Sequence, residues 1–303
     1  DAVVGHLLQN DLLLPTQHGF MPGRSCVSNL LAYLDEVTLA LDAGVPYDAI
    51  MIDFKRAFDV VPFRLLILKL EAHGIHGELL KWFDDWTNGR QQRVVINGQN
   101  SSWIDVTSSV VQGSVMGPVL FLIFINDLDL SIIAADEDIF TSKFADDTKI
   151  GRVITDASDS AKLQRGLDNL VQWCNDWGMM LHPGKWVVMH FGTKNPSHDI
   201  AGSKINSEDI TRDLGVHVSV NCETSSHVEK IAKKAHGVLS QIHRATVVRD
   251  SQTFIRMYST FVRPILESSA PAWNPHLRGD IVELEKVQKR AFRMISDMGN
   301  LSY

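Results

Sequence analysis

Two stretches decide how this chain folds: Ala49-Ile50-Met51-Ile52-Asp53 and Phe144-Ala145-Asp146-Asp147-Thr148, whose Asp146 lies 93 residues after Asp53. The first is a short apolar run, read as a buried strand over 49–54, that ends on a carboxylate. The second sits in a segment, 142–153, that reads as a hairpin with Asp146-Asp147 at its tip. Between them lies Gln112-Gly113-Ser114-Val115-Met116-Gly117-Pro118. One carboxylate at a strand end and an acidic pair on a tight turn supply the hard oxygen ligands of a two-metal phosphoryl-transfer site, where two divalent cations sit about 3.5–4 Å apart. Singly, Asp53 also reads as a strand cap and the pair as a solvated turn. The ordered set carries the inference.

Outward from these stretches the pattern alternates. Residues 27–42 carry Leu30, Leu31, Leu34, Val37 and Leu41 at helical spacing. Segments 63–73 and 78–87 are apolar-rich helices separated by Gly74 and Gly77, and residues 92–96 and 103–107, with Asn97-Gly98 between them, suggest a hairpin with a somewhat long loop. A helix begins near Pro118, another spans 159–177, and strands are predicted at 187–191 and 213–218. After a boundary near 220 the pattern is helical only, with the stripe Val228, Ile231, Ala235, Val238, Leu239 and Ile242, then Leu284, Val287, Ala291, Met294 and Ile295. Mixed strands and helices followed by helices predict an α+β domain over 1–220 and an all-helical one over 221–303. The tryptophans at helical spacing, Trp82, Trp86, Trp173 and Trp177, read as core.

At 303 residues, 45% hydrophobic and 21% charged, the chain is long enough for a sizeable core and about two domains. The longest apolar run, Val119–Ile125, stops at Asn126-Asp127 and reads as a buried helix, so no membrane role is expected. Three scattered cysteines, Cys26, Cys174 and Cys222, read as ordinary thiols in a reducing compartment. The histidines show no ligand spacing for a structural metal. The net charge of −7 is uneven: residues 223–303 hold 12 Lys/Arg against 8 Asp/Glu, and residues 1–222 hold 17 against 28. An acidic metal-binding half joined to a basic phosphate-gripping half suits a polymerase, although +4 is also within ordinary scatter.

From Gln17 to the C-terminus the chain resembles the reverse transcriptase domain of LINE-type (non-LTR) retrotransposon polyproteins. The resemblance rests on Gln17-His18-Gly19-Phe20-Met21-Pro22-Gly23-Arg24-Ser25, Asp53-Phe54-Lys55-Arg56-Ala57-Phe58-Asp59, the Gln112–Pro118 segment, Phe144-Ala145-Asp146-Asp147-Thr148, His182-Pro183-Gly184-Lys185 and Asp213-Leu214-Gly215-Val216, in that order. It implies a right-hand polymerase: partial fingers and a palm with an antiparallel sheet, then a helical thumb. The implied activity is RNA-directed DNA synthesis on an RNA template and DNA primer with dNTPs, using two Mg2+ ions, with Mn2+ as a substitute. It further implies action in the nucleus.

The resemblance also implies roles. Asp53, Asp146 and the backbone carbonyl of Phe54 would hold metal, with Asp147 beside the primer terminus. Lys185 would protonate the leaving pyrophosphate, or is an exposed loop lysine. Phe58 would exclude a ribose 2′-hydroxyl, or is a core phenylalanine. Gln112-Gly113 would lie against the nascent base pair, and Arg24 would meet a phosphate of template or nucleotide. Leu214-Gly215 would lie in the hairpin that supports the primer end, or is a simple edge hairpin, and Lys233, Lys234, Lys289 and Arg290 would follow duplex phosphates. Four positions depart from the usual pattern: Val111 for proline, Lys55 for a small polar residue, Phe144 for tyrosine, and Trp186 for a small residue. The Arg- and Pro-rich fingers motif and the endonuclease that usually come first are missing from the sequence, which reads as a fragment of a larger polyprotein or a decayed copy. The competing expectations are a remnant that binds nucleic acid without polymerising, and an RNA-synthesising palm polymerase.

Overall fold

The computed structural model describes residues 2–192, 198–200, 202–246 and 250–295. It divides into two compact units, Asp1–Glu208 and Asp209–Tyr303. That division falls twelve residues before the boundary expected at 220/221.

The first unit is organised by a five-stranded sheet with strand order Asn206–Ser207, Val187–Phe191, Tyr47–Ile52, Asp147–Val153, Phe140–Phe144. All pairings are antiparallel except the short Asn206–Ser207 edge, which runs parallel to its neighbour. Tyr47–Ile52 is central, and five of its six residues are buried, as a near-continuous apolar strand requires. The register aligns Ile52 with Thr148 and Phe144 with Asp147. The hairpin therefore turns on Ala145 and Asp146, and Asp147 is the first residue of the returning strand rather than part of the tip.

Met116–Ile125 is apolar on every side, and seven of its ten residues are buried, so it is a core helix and not an amphipathic one. Helical structure resumes at Leu128–Ile133, and Met116–Ile133 together has the length and hydropathy of a bilayer span, which the sequence reading did not credit. Here the segment lies in the core, and the Asn126 side chain accepts from Leu14 N (3.0 Å) and donates to Leu12 O (2.7 Å). The Cys26–Asp42 helix begins at Ser25 in a capping box with Ser28. Its buried face is Leu30, Tyr33, Val37 and Ala40, and the predicted Leu31 is exposed, since the stripe runs through Tyr33, three residues after Leu30.

The hairpin carries three cations into the interior. Lys143 pairs with Asp129 (2.9 Å) and donates to the Ile125 and Asn126 carbonyls, Lys149 reaches Asn29, and Arg152 meets Asp136 and Asp159. Lys143 and Arg152 thus meet carboxylates, as buried charges require, while Lys149 donates to the neutral Asn29 amide oxygen and lies over the Tyr33 ring at 5.3 Å. Trp173 is buried with its indole N–H on Asp127, and the Lys69 ammonium lies over the Trp177 ring at 3.4 Å. Trp82 is the exception among the predicted core tryptophans: it is half exposed and stacked on Trp86 at 5.7 Å. The 92–107 region forms two small antiparallel ladders, with Asn97 and Gly98 both at positive φ as a two-residue hairpin turn requires.

The second unit opens with a hairpin, Ile210–Asp213 against Val216–Ser219, and so is not purely helical. The single strand expected over 213–218 is broken at Leu214-Gly215, where both residues take positive φ (43° and 92°). Helices Ser225–Ala245 and Arg278–Arg293 pack through Ala235, Leu239, Ile242, Val287 and Ala291. His227 is buried against the Trp273 ring, and burial followed by the charges of His217 and Lys230 holds its imidazole down at about 4.

Candidate active site

Asp53 follows the central strand directly, and the antiparallel register sets it beside the Asp146-Asp147 end of the neighbouring hairpin. Its main chain is fixed independently of its side chain. The Asp53 carbonyl accepts from His182 N (3.1 Å) and from the indole N–H of Trp186 (2.9 Å), and Lys55 N donates to Met180 O (2.7 Å). Trp186 is fully buried. A bulky residue where the usual pattern has a small one is therefore a built part of the site, and that mismatch of size was the only signal for it in the sequence.

Asp146 occupies the second turn position, after Ala145 at φ +56°. Burial raises the Asp146 carboxyl above the ordinary range, the Asp53 charge adds to the rise, and a backbone hydrogen bond partly offsets it. A buried carboxyl whose ionisation a neighbouring carboxylate disfavours is placed for a cation shared with that neighbour. The Lys185 ammonium lies 2.9 Å from Asp53 Oδ2, which raises its pKa, and it projects from a 3-10 turn over Pro183–Lys185. Asp147 is exposed.

Among the described residues, no group of three or more His, Cys, Asp or Glu is arranged to enclose a metal. Two carboxylates and a carbonyl are nevertheless the donor set that magnesium uses when substrate phosphates and water complete its octahedron. The residues present fit such an ion: Asp53 and Asp146 are adjacent across the sheet, and Phe54, whose side chain is buried, follows Asp53 in the chain.

The raised Asp146 pKa makes a stability prediction. A carboxyl with a folded pKa above its unfolded value of about 3.9 supports folding only below that unfolded value, and loses the support as pH rises through the folded one. Asp146→Asn should raise the melting temperature at pH 7 in EDTA and leave it unchanged near pH 3. Equal melting temperatures at both pH values would show that the carboxylate is not strained.

Phe58 stacks on Phe121 (4.2 Å, 19° between planes) and meets Phe20 edge-on (6.4 Å). It is only partly buried, so one side of the ring is backed by the core and the rest is open. Phe121 lies inside a uniformly apolar run and gave no sequence signal of its supporting part. Val110 N donates to Phe58 O (2.9 Å), Ser108 Oγ to Asp59 O (2.8 Å) and Gln112 Nε2 to Asp59 Oδ1 (2.7 Å). The Gln112-Gly113 loop is thereby docked on the Phe58 segment, in an open cleft also lined by Arg56, Arg90 and Gln91. Gly113 takes φ +79°, and a Cβ on Gly117 would lie 2.6 Å from Val111 O, so both glycines are dictated by the backbone. Val111, in place of proline, accepts from Ser114 N and Oγ and closes this turn.

Arg24 is exposed just before the Ser25 cap, with Nη1 3.3 Å from His18 Nε2. Burial, then Arg24 and Lys149, lowers the His18 pKa to about 4, so at neutral pH its uncharged ring accepts from the guanidinium. In the second unit, Lys233 and Lys234 are exposed. Lys289 pairs with Glu285 (3.2 Å), and Arg290 is turned between the helices, donating to Ser240 Oγ (2.9 Å) and His236 O (3.4 Å). Arg290 is thus engaged in packing between the two helices.

A profile described as Reverse transcriptase (RNA-dependent DNA polymerase) matches residues 1–232. The probable RNA-directed DNA polymerase from transposon BS of Drosophila melanogaster is 24% identical over 96% of this chain and 33% of its own length. The RNA-directed DNA polymerase from mobile element jockey of the same species is 22% identical over 81% of this chain and 28% of its own. The chain therefore spans about a third of the length of the curated relatives it matches. Among solved structures, telomerase from Candida albicans in complex with the TWJ fragment of telomeric RNA aligns with TM-score 0.56 at 10% identity, covering 100% of this chain and 58% of that one. Apo telomerase from Candida Tropicalis gives 0.55 at 12% identity, over 98% and 50%. These likenesses show a polymerase fold. With more than half its residues inside the profile and non-LTR element polymerases as its relatives, the chain belongs to the reverse transcriptase family.

Proposed function

We propose that this chain is the polymerising domain of a non-LTR retrotransposon protein: an RNA-directed DNA polymerase that extends a DNA primer on an RNA template with dNTPs. The observation that carries the proposal is the juxtaposition of Asp53 with the Asp146 turn, each on a separately anchored backbone. Asp53, Asp146 and the Phe54 carbonyl would hold two Mg2+ ions, or Mn2+ in their place. When bound, these ions lower the pKa of the primer 3′-hydroxyl and offset charge on the leaving pyrophosphate. Lys185 holds the proton for that leaving group at Nζ, and its contact with Asp53 keeps it within reach of the site. Phe58 stands where the sugar would lie, Gln112-Gly113 beside the base pair, and Arg24 near a phosphate.

In this reading the first unit is partial fingers and palm. The second is the thumb, with Leu214-Gly215 as a hairpin tip against the primer and Lys233 and Lys234 on the duplex backbone. Copying of this kind takes place at chromosomal DNA, hence in the nucleus.

The deciding experiment is primer extension by the purified chain on an RNA template, beside an Asp146→Ala, Asp147→Ala control. Extension that disappears in the control supports the proposal; no extension with hybrid binding retained supports the non-polymerising remnant. For the thumb, Lys233→Glu with Lys234→Glu should weaken hybrid binding and reduce the slope of log K against log salt by about two. An unchanged slope would remove these lysines from the interface.

A further inference from the structure

We propose that Gln17 is a positioning residue that locks the Ala145-Asp146 turn through its side-chain amide, a role that rests on the reading of Asp146 as a metal-holding carboxylate. The tip of a hairpin has no ladder partner, and Phe140–Phe144 is the outer strand of the sheet. The segment before the first long helix runs beside it: Lys143 N donates to Thr16 O (2.9 Å), and His18 N donates to Lys143 O (2.8 Å). At the tip, where backbone pairing ends, the Gln17 side chain continues it. Gln17 Oε1 accepts from Ala145 N (2.9 Å) and Gly19 N (2.8 Å), and Nε2 donates to Ala145 O (3.3 Å).

Gln17 is 2% exposed, so these bonds are made away from water. Gly19 closes the other side: a Cβ there would sit 2.4 Å from Ala145 N. Ala145 is held at φ +56°, a conformation an alanine does not keep unaided. Of the residues with this reach, only glutamine offers both an acceptor and a donor without a charge beside Asp146. Magnesium tolerates little departure from octahedral geometry, so the setting of the Asp146 backbone governs metal affinity.

The test compares wild type, Gln17→Met (similar length, no polar atoms) and Gln17→Glu (acceptor kept, donor lost). Amide exchange is read residue by residue, and Mn2+ binding by paramagnetic resonance, on the whole chain. Gln17→Met should speed exchange at Ala145 and Asp146 at least tenfold, leave Tyr47–Ile52 unchanged, and weaken Mn2+ binding about tenfold. It should also lower kcat for extension with little change in KM for dNTP. Gln17→Glu should restore protection of the Ala145 amide. Exchange at the turn equal to wild type, or faster exchange throughout the sheet, would overturn the proposal. So would unchanged Mn2+ affinity alongside its loss in the Asp146→Ala, Asp147→Ala control. If Gln17→Met does not fold, Gln17→Glu is judged alone: an Ala145 amide as unprotected as in a peptide would refute the clamp. Failure of wild type itself to bind Mn2+ would strike the metal reading, and the exchange data would still judge the clamp.

Discussion

Asp53→Asn is expected to reduce primer extension by about 10³-fold or more, to near background, while leaving the fold intact. A loss of three decades corresponds to about 4 kcal/mol of transition-state stabilisation, within what metal-held charge provides. The substitution keeps size and removes only the negative charge that a cation needs. Folding is insulated from it because His182 N and the Trp186 indole hold the Asp53 main-chain carbonyl, not its carboxylate. The one ion pair lost, with Lys185, joins a lysine 61% exposed to an aspartate 33% exposed, and pairs so open to solvent contribute little. Circular dichroism and melting temperature should therefore match wild type. Trp186→Phe is the informative companion: it keeps most of the buried ring and frees the carbonyl, so any loss of activity it causes reports on backbone placement. If Asp53→Asn retains even a tenth of wild-type extension under saturating Mg2+, Asp53 is not a metal ligand and the two-carboxylate site is wrong.

How much of this was legible beforehand follows from the range of the forces involved. The central strand, the hairpin within 142–153 and a buried helix beginning near Pro118 were readable because apolar periodicity and turn chemistry are local. The carboxylates were readable because a strand end and a turn put them on the same side of a sheet. Tertiary contacts decided the rest. Trp186 looked like damage because its partner, the Asp53 carbonyl, lies 133 residues away. Arg290 was read only as a residue that follows duplex phosphates, and its bonds to Ser240 and His236 emerge from helix packing alone. The strand predicted over 213–218 is interrupted by a hairpin turn at Leu214-Gly215, which the family resemblance implied and periodicity alone did not, because Leu214 at φ +43° carries no local mark beyond the glycine after it. The boundary at 208/209 rather than 220/221 has the same origin, since the hairpin belongs with the helices that follow it and alternation cannot report which body a hairpin joins.

Phe58→Ala is expected to lower discrimination against ribonucleotides by about 10- to 100-fold, with dNTP incorporation reduced less. The argument is steric. An aromatic ring excludes a 2′-hydroxyl only if it cannot retreat, and Phe58 cannot: Phe121, itself fully buried, backs it at 4.2 Å, and Phe20 flanks it edge-on. Removing the ring opens room for one hydroxyl, and a selectivity that rests on overlap is lost without any change in the metal ligands. Truncation also costs stability, about 3 kcal/mol for a phenylalanine of this kind, less here because one side is already open. Phe58→Leu separates the two effects, since it keeps apolar contact with Phe121 but is slimmer than a ring. Selectivity should fall in the order Phe, Leu, Ala, measured as the ratio of kcat/KM for dNTP to that for rNTP on one template. A ratio that stays flat across the three would make Phe58 a core residue at a strand-to-helix junction, and the choice between DNA and RNA synthesis would then have to be made elsewhere in the cleft between Arg56 and Gln112.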